Sequence, residues 1–483
     1  MIGCMKVLSE SAVHRVFSPL LVMAITLFAG VAIVLPDLAW HDRQRVVQVF
    51  LLLLTAAFAC ATLWRPMVWG SLARLQKSSR TALGVGFALG GVSAALSAYP
   101  GFAWLEWATL LLLLGMALVI AEQAKCWRVD FDIWAMRLLF LMAVVISLKI
   151  MMWYVLTIVG GEPLDTAGLF KSSFSNRRVF GQVASLVIPL LAYPLLNTDM
   201  PRVQRWGLFA LLALWWMLLI MSGSRGSWVA LVAAAVVLAA VAWRASSGWI
   251  RVQLCALGAG VLLYVVLFVG VPVWLGLDVT LENRLSQLTE LNGRAELWAI
   301  AWTQIQAHPW LGVGPMHLAA IRNDIAAHPH NAILQLAAEW GVPAALALIV
   351  PVAVGMLRLL AKLRQQDVSP NILLVCLTAS LLAASVLSMV DGVIVMPYTQ
   401  TWLVLVAGWA MGVYFRDAAA KPVGLESRMF RLVLPALSLF ALAALLIGIF
   451  PEVLNRAEAL RAHIDAGGYV LIPPRYWGLG WIP

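Results

Sequence analysis

Charged residues are scarce in this chain, and long polar stretches are almost missing. Lysine, arginine, aspartate and glutamate make up 12% of the 483 residues, whereas 63% are hydrophobic; soluble domains carry about 25% charged and roughly 45–50% apolar residues. This composition excludes a soluble globular enzyme. Runs such as 51–61 and 229–241 also lack the polar and apolar alternation of a membrane β-barrel. The sequence therefore predicts an all-α polytopic integral membrane protein, because helices satisfy their own backbone in hydrocarbon.

Familiar metal-binding patterns are missing as well. The five cysteines form no C-x-x-C pair, and the chain has no H-E-x-x-H sequence. Asp130 and Asp132 form a D-x-D pair, but the predicted topology places them in a cytoplasmic loop, where we interpret them as solvated. We expect neither a metal nor a cofactor.

Hydropathy windows of about 19 residues predict twelve or thirteen membrane-spanning helices. The thirteen candidates are 16–36, 46–64, 81–99, 102–121, 133–158, 179–196, 206–222, 226–243, 252–275, 333–357, 371–395, 399–415 and 432–450. A cytoplasmic N-terminus places most of the 33 lysines and arginines in inside segments, as the positive-inside rule requires. We attribute the net charge of +10 to this topology and expect no nucleic-acid partner.

The predicted spans divide the chain into five regions. These are N-terminal helices (1–170), central helices with phosphate-binding arginines (171–275), a long periplasmic loop (276–332), C-terminal helices (333–450) and a short periplasmic tail (451–483).

Some basic residues lie on the predicted outer side, where topology disfavours them. The candidates for binding a substrate anion are Arg178, Arg225, Arg284 and Arg294. Arginine suits this role because its guanidinium binds phosphate oxygens in bidentate fashion and keeps its proton. Each also has a simpler interpretation, as an interfacial anchor or a solvated loop charge.

The long hydrophilic connection from 278 to 331 contains four of the seven histidines, namely His308, His317, His328 and His330. Within it, the apolar or packing residues Leu297, Ile300, Ala301 and Gln304 recur at helical spacing beside a stripe formed by Trp298 and Trp302. This pattern predicts an amphipathic helix on the membrane surface. We expect His308 to end it.

A set of short motifs around this loop resembles the O-antigen ligase and polymerase superfamily. They are Ser-Gly-Ser-Arg-Gly at 222–226, Arg294 with Trp298, His-Pro-Trp-Leu-Gly-Val-Gly at 308–314, His330 with Asn331, and Glu-Trp-Gly at 339–341. The resemblance covers about residues 170–345. It implies a bacterial inner-membrane glycosyltransferase of the membrane-embedded C-type fold, which uses an undecaprenyl-pyrophosphate-linked glycan on the periplasmic face without metal.

His330 is the best placed candidate for a catalytic base, because it stands at the end of the loop, immediately before a span. A neutral imidazole can assist a sugar hydroxyl near pH 7, and the resemblance implies the same role. His328 would point to the same side in an extended segment, and we predict that it contacts substrate together with Asn331. Glu339 is a third such candidate. Its spacing from His330 predicts opposite helix faces, and its burial in a span requires a partner such as an arginine or a loop group.

These residues together predict an inverting glycan ligase. Arg225 and Arg294, with Arg178 or Arg284, would hold the pyrophosphate, and the lipid tail would lie against the spans in the bilayer. We favour lipid A-core as the acceptor. The alternatives are a polymerase and a protein O-oligosaccharyltransferase, which the His-Pro-His-Asn sequence at 328–331 resembles. A flippase or transporter is the alternative from a different class, although the chain lacks the two related halves typical of many transporters.

Overall fold

The computed structural model describes residues 38–60, 65–196, 200–277, 279–280, 293–366, 370–417, 433, 435–449, 458, 465, 475–478 and 480–482. Helices dominate these parts of the chain. In order they are α1 (Trp40–Cys60), α2 (Arg65–Arg74), α3 (Lys77–Leu96), α4 (Pro100–Trp127), α5 (Val129–Gly160), α6 (Arg177–Leu191), α7 (Arg202–Ser222), α8 (Arg225–Tyr264), α9 (Val271–Leu275), α10 (Arg294–Ala307), α11 (Ala332–Trp340), α12 (Val342–Arg364), α13 (Ile372–Leu387), α14 (Pro397–Phe415) and α15 (Pro435–Ile449).

Short elements join some of these helices. A π-helix, Val265–Gly270, continues α8 into α9, and 3₁₀ turns occupy Gly168–Ser172, Pro194–Leu196 and His317–Ala320. Two strands of two residues each, β1 (Leu164–Asp165) and β2 (Val279–Thr280), pair in parallel. This pairing ties the segment before α6 to the start of the long loop.

Within the described residues, six helical runs are long and apolar enough to cross a membrane. They are α4, α5, Arg177–Leu196, α7, Arg225–Leu275 and α12, and α13 and α15 are shorter apolar helices. The structure thus confirms the predicted all-α polytopic membrane protein. The predicted span at 16–36 lies outside the described residues.

Two predicted spans, 226–243 and 252–275, form one helical run that bends sharply. Ala242 has φ −141° and ψ 46°, which interrupts the helix. The ring of Trp216 lies 5.4 Å from the ring of Trp228, and its Nε1 also donates to Gln253 Oε1 at 2.9 Å. In a straight helix, positions 228 and 253 would be about 37 Å apart. The second part of α8 therefore folds back beside the first, as two separate spans would.

The predicted single span at 333–357 is wrong, because the helix is broken at Gly341. This residue has φ +84°, and a Cβ there would overlap the backbone oxygen of Trp310. The N–H of Val342 donates to Pro309 O at 2.9 Å, and the N–H of Gly314 donates to Glu339 O at the same distance. The segment 309–314 therefore crosses the chain at the break and separates α11 from α12. The apolar periodicity of residues 333–357 does not indicate this crossing.

The interpretation of Asp130 and Asp132 as a solvated pair is wrong for Asp132. Helix α5 begins at Val129, so Asp132 lies in its first turn and faces α14. Its carboxylate accepts from Arg416 Nη2 at 2.7 Å and from Trp409 Nε1 at 2.7 Å. Asp130 is exposed, as expected. The buried carboxylate of Asp132 requires a charged partner. Arg416, which lies 284 positions later in the chain, supplies that charge.

A helix is present at the predicted place in the long loop, as α10, and His308 follows its last residue. Its buried positions are Leu297, Ala301 and Ile305, one every four residues. Two of these belong to the predicted apolar face. Trp302 is exposed, and the predicted position of this helix on the membrane surface stays a prediction.

Candidate active site

The N-terminal turns of α6 and α8 lie close together because Gly181, at their contact, has no side chain. A Cβ at Gly181 of α6 would lie 2.5 Å from the Oγ of Ser224. Ser224 is the residue immediately before α8. Asn176 caps α6 by accepting the N–H of Arg178 at 2.9 Å. The first turn of α6 carries Arg178, and α8 begins at Arg225. The close approach therefore brings two of the predicted arginines to the same region.

Helix α10 adds a third arginine, because Arg294 is its first residue. Burial lowers the pKa of Arg294, the nearby carboxylate of Asp391 raises it, and the positive charges of Arg178 and Arg225 lower it further. Such contributions arise only between neighbouring charges. Arg294 thus lies near Asp391 and near two other arginines that were predicted separately from the sequence. Arg284 lies outside the described residues.

Asp391 is a functional candidate that the sequence reasoning missed. It lies in the turn between α13 and α14, where its Oδ1 accepts from Gln182 Nε2 at 3.0 Å and from the N–H of Gly392 at 2.7 Å. The oxygen of the Gln182 amide in turn accepts from Thr399 Oγ1 at 2.9 Å. Burial by itself would raise the pKa of Asp391, but His330 and these two hydrogen bonds stabilise the carboxylate and hold its pKa below the usual range. An acidic residue inside the predicted span 371–395 was the available signal.

His330 faces this carboxylate, with its Nδ1 3.6 Å from Asp391 Oδ1. The backbone at His330 has φ +52°, a left-handed conformation that is uncommon outside glycine. The N–H of His330 donates to Nδ1 of His328 at 3.3 Å, and the two imidazole rings are 4.1 Å apart at 62°. The segment is therefore bent and not extended, although the two rings come together as expected. His330 keeps 19% of its side chain exposed, which leaves it reachable by a substrate.

His328 is buried, and this burial, together with the nearby His330, Arg475 and His41, lowers its pKa well below the usual value. Because its Nδ1 accepts the N–H of His330, the neutral ring carries its proton on Nε2. The ring packs against Gly392, where a Cβ would lie 2.7 Å from its Cε1. His328 thus supports the conformation of His330. Its predicted contact with substrate stays a prediction.

Both polar atoms of the Asn331 side-chain amide form hydrogen bonds within the protein. Its Oδ1 accepts the N–H of Leu334 at 3.0 Å and caps α11, while its Nδ2 donates to Met389 O at 3.1 Å. The N–H of Ala332 donates to Ser388 O at 2.8 Å. These bonds fix the start of α11 beside the turn that carries Asp391. Contact of Asn331 with substrate stays a prediction.

Glu339 lies at the other end of α11 and is fully buried. It forms an ion pair with Arg475 at 2.6 Å and accepts the N–H of Leu318 at 3.2 Å. The structure thus supplies both of the expected partners, an arginine and a loop group. The arginine comes from the C-terminal tail, where the sequence reasoning placed no functional residue. Contact of Glu339 with substrate stays a prediction.

The other two loop histidines have different surroundings. His317 accepts the N–H of Tyr99 through Nε2 at 2.9 Å, so its Nδ1 carries the proton and donates to Pro315 O at 2.9 Å. Burial lowers its pKa, which favours this neutral form. His308 is exposed at the end of α10. Among the residues that the structure describes, no group of three histidine, cysteine, aspartate or glutamate side chains is arranged to hold a metal ion.

The fold and site define a polytopic helical membrane protein in which a cluster of arginines from three helices adjoins a histidine and aspartate pair. The family model described as O-Antigen ligase matches residues 208–349. This match confirms the predicted resemblance and supports the O-antigen ligase superfamily, whose members are glycosyltransferases of the ligase or polymerase type. A comparison with curated proteins finds no match. The matched range includes Arg225, Arg294 and His330, whereas Arg178 and Asp391 come from outside it.

Proposed function

We propose that the protein is a metal-independent inverting glycosyltransferase of the bacterial inner membrane. It transfers a glycan from undecaprenyl pyrophosphate to a sugar hydroxyl of lipid A-core at the periplasmic face. The observation that carries this proposal is that Arg294 lies near Arg178, Arg225 and Asp391, and that Asp391 also faces His330. The family match supports the same class of reaction.

The arginines Arg178, Arg225 and Arg294 suit a pyrophosphate group. Two of them stand at the N-termini of α6 and α8, where the helix dipoles also favour an anion. Arg294 is half-buried, and partial burial strengthens its attraction to a phosphate. When the sugar–phosphate bond breaks, the departing oxygen gains negative charge. Guanidinium groups already in place stabilise that charge without reorganisation.

His330 is proposed to accept the proton of the attacking hydroxyl. Asp391 faces Nδ1, so the imidazole is oriented with its other nitrogen, Nε2, available to the acceptor. The hydroxyl oxygen forms a bond to the anomeric carbon while the bond from that carbon to the phosphate oxygen breaks. The proton passes to His330, and the electron pair leaves with the pyrophosphate. One displacement of this kind inverts the anomeric configuration.

The membrane location follows from the proposed donor. A polyprenyl chain partitions into hydrocarbon, and the helical runs expose apolar side chains such as Val229 and Val236, which suit contact with such a chain. The anionic head of the donor would reach the arginines at the helix ends.

An assay with the purified full chain tests this proposal. It combines a lipid-linked glycan donor with three separate acceptors, lipid A-core, a second lipid-linked repeat and a protein substrate. Transfer to lipid A-core is expected, whereas transfer only to the second or third acceptor would identify a polymerase or a protein glycosyltransferase.

The variant His330→Ala separates a transferase from a transporter. Turnover should fall by about 10²–10⁴ if general-base assistance is lost, while the donor still binds. His308→Ala is the matched control, because this exposed histidine lies at the end of α10, and it should retain full turnover. Full activity of His330→Ala would contradict the proposed mechanism.

A further inference from the structure

The C-terminal tail inserts an arginine into the bundle. Arg475 has 2% of its side chain exposed and forms ion pairs with Glu106 of α4 at 2.8 Å and Glu339 of α11 at 2.6 Å. The backbone around it is also held, since Arg45 Nε donates to Tyr476 O at 2.8 Å. A buried arginine shared by two carboxylates is costly to remove, because each would lose its counter-charge. The tail is therefore an integral part of this end of the protein.

The contacts of Arg475 lead to the helix that presents His330. Glu339 is the penultimate residue of α11, and Asn331 caps the opposite end of the same helix directly after His330. The helix has nine residues and is about 13 Å long. Arg475 thus fixes one end of the short helix α11, and His330 is attached to the other end of this helix.

A second line of contacts connects the tail to the same loop. Glu339 accepts the N–H of Leu318, and the N–H of Ile482 donates to Ala319 O at 3.3 Å. The positive charge of Arg475 also acts on His328 and disfavours its protonation, which preserves the Nδ1 lone pair that accepts the N–H of His330. The contact through α11 and the charge effect on His328 therefore both lead to the segment that carries His330. By contrast, the three arginines of the proposed donor site stand on α6, α8 and α10.

We propose that Arg475 is a positioning residue for His330: by clamping the far end of α11, it fixes the imidazole against Asp391 without taking part in donor binding. The proposal rests on the proposed role of His330 as the base. It assigns a catalytic contribution to the C-terminal tail, which lies outside the range that matches the family model.

The test compares Arg475→Met with Arg416→Met in the purified full chain. Arg416 is a matched control, because it also forms an ion pair that is largely shielded from solvent, with Asp132 at 2.7 Å, beyond the end of α14. Arg475→Met should lower kcat by up to about 10²-fold, the cost of a small misplacement of a catalytic group. The KM for the donor should stay within about twofold, since the arginines are untouched. Arg416→Met should retain the kcat of the unmodified chain per folded molecule.

If Arg475→Met fails to fold, the milder variant Glu339→Gln tests the same proposal. Glu339→Gln keeps the shape of the side chain and an oxygen for the Leu318 N–H, while it removes the charge that attracts Arg475. It should show the same pattern, a lower kcat with an unchanged donor KM. A raised donor KM with unchanged kcat in the folded variant would overturn the proposal.

Coupling to His330 distinguishes positioning from a general structural effect. In the His330→Ala background, Glu339→Gln should change the residual turnover by less than about twofold, because residues that act through each other are not additive. An equal loss in both backgrounds would overturn the proposal for Arg475. If His330→Ala alone leaves turnover unchanged, the proposed function itself fails, and that result is separate from the coupling.

Discussion

His330 and Asp391 face each other across 3.6 Å, although 61 positions separate them in the chain. The carboxylate has two further hydrogen bonds that hold it in place, and the histidine is held in a left-handed turn by His328. An imidazole oriented by a carboxylate is a common arrangement for a general base. The pairing brings together residues from two different loops.

Replacing Asp391 tests this relationship. In Asp391→Asn the negative charge beside His330 is lost, so the imidazolium is less stabilised. The low-pH limb of the rate profile, where a protonated His330 cannot accept a proton, should therefore move to lower pH. The maximal rate should fall by about 10–10²-fold, a part of what general-base assistance contributes. A pH–rate profile of the purified variant measures both effects, and an unchanged low-pH limb would remove Asp391 from the mechanism.

Arg225 should not tolerate a lysine. A single ammonium cannot reproduce the bidentate contact of a guanidinium with phosphate oxygens. The loss of one charged donor to the leaving group typically costs about 10²–10³ in rate, so Arg225→Lys should stay impaired to a similar degree at every pH tested. Arg251→Lys, on the exposed face of the same helical run, is the control and should keep full turnover. A defect that appears only at high pH would indicate a titrating group in place of a fixed charge.

The reaction should proceed without divalent cations. The proposed stabilisation of the leaving group comes from Arg178, Arg225 and Arg294, whose charge does not depend on a metal. Turnover measured after treatment with excess chelator should match the untreated enzyme. If chelation abolishes turnover and Mn²⁺ or Mg²⁺ restores it, the arginine-based account is wrong.

The topology can be checked near the C-terminus. Thirteen spans with a cytoplasmic N-terminus place the tail in the periplasm. Reporter fusions at Ala466 and Ala419 should therefore indicate opposite sides of the membrane. The same side for both fusions would show that one of the last predicted spans is wrong and would favour a count of twelve.

The sequence by itself determined the class of fold and much of the candidate site. Apolar runs of about 20 residues specify membrane helices because each helix satisfies its own backbone, a local property. The helix in the long loop was also predictable, since Leu297 and Ala301 follow the helical period. Three arginines and His330 were identified from unusual charge placement and short motifs, which are likewise visible in a linear chain.

Only the tertiary structure decided which partners these residues have. Asp391 and Arg475 lie 61 and 145 positions from His330 along the chain, and no periodicity relates them to it. A charged residue in an apolar segment indicates that a partner is required, but many segments could supply that partner. The break at Gly341 and the reversal at Ala242 decide which helix ends meet. Because these contacts depend on how separate helices pack in three dimensions, the site became complete only in the folded chain.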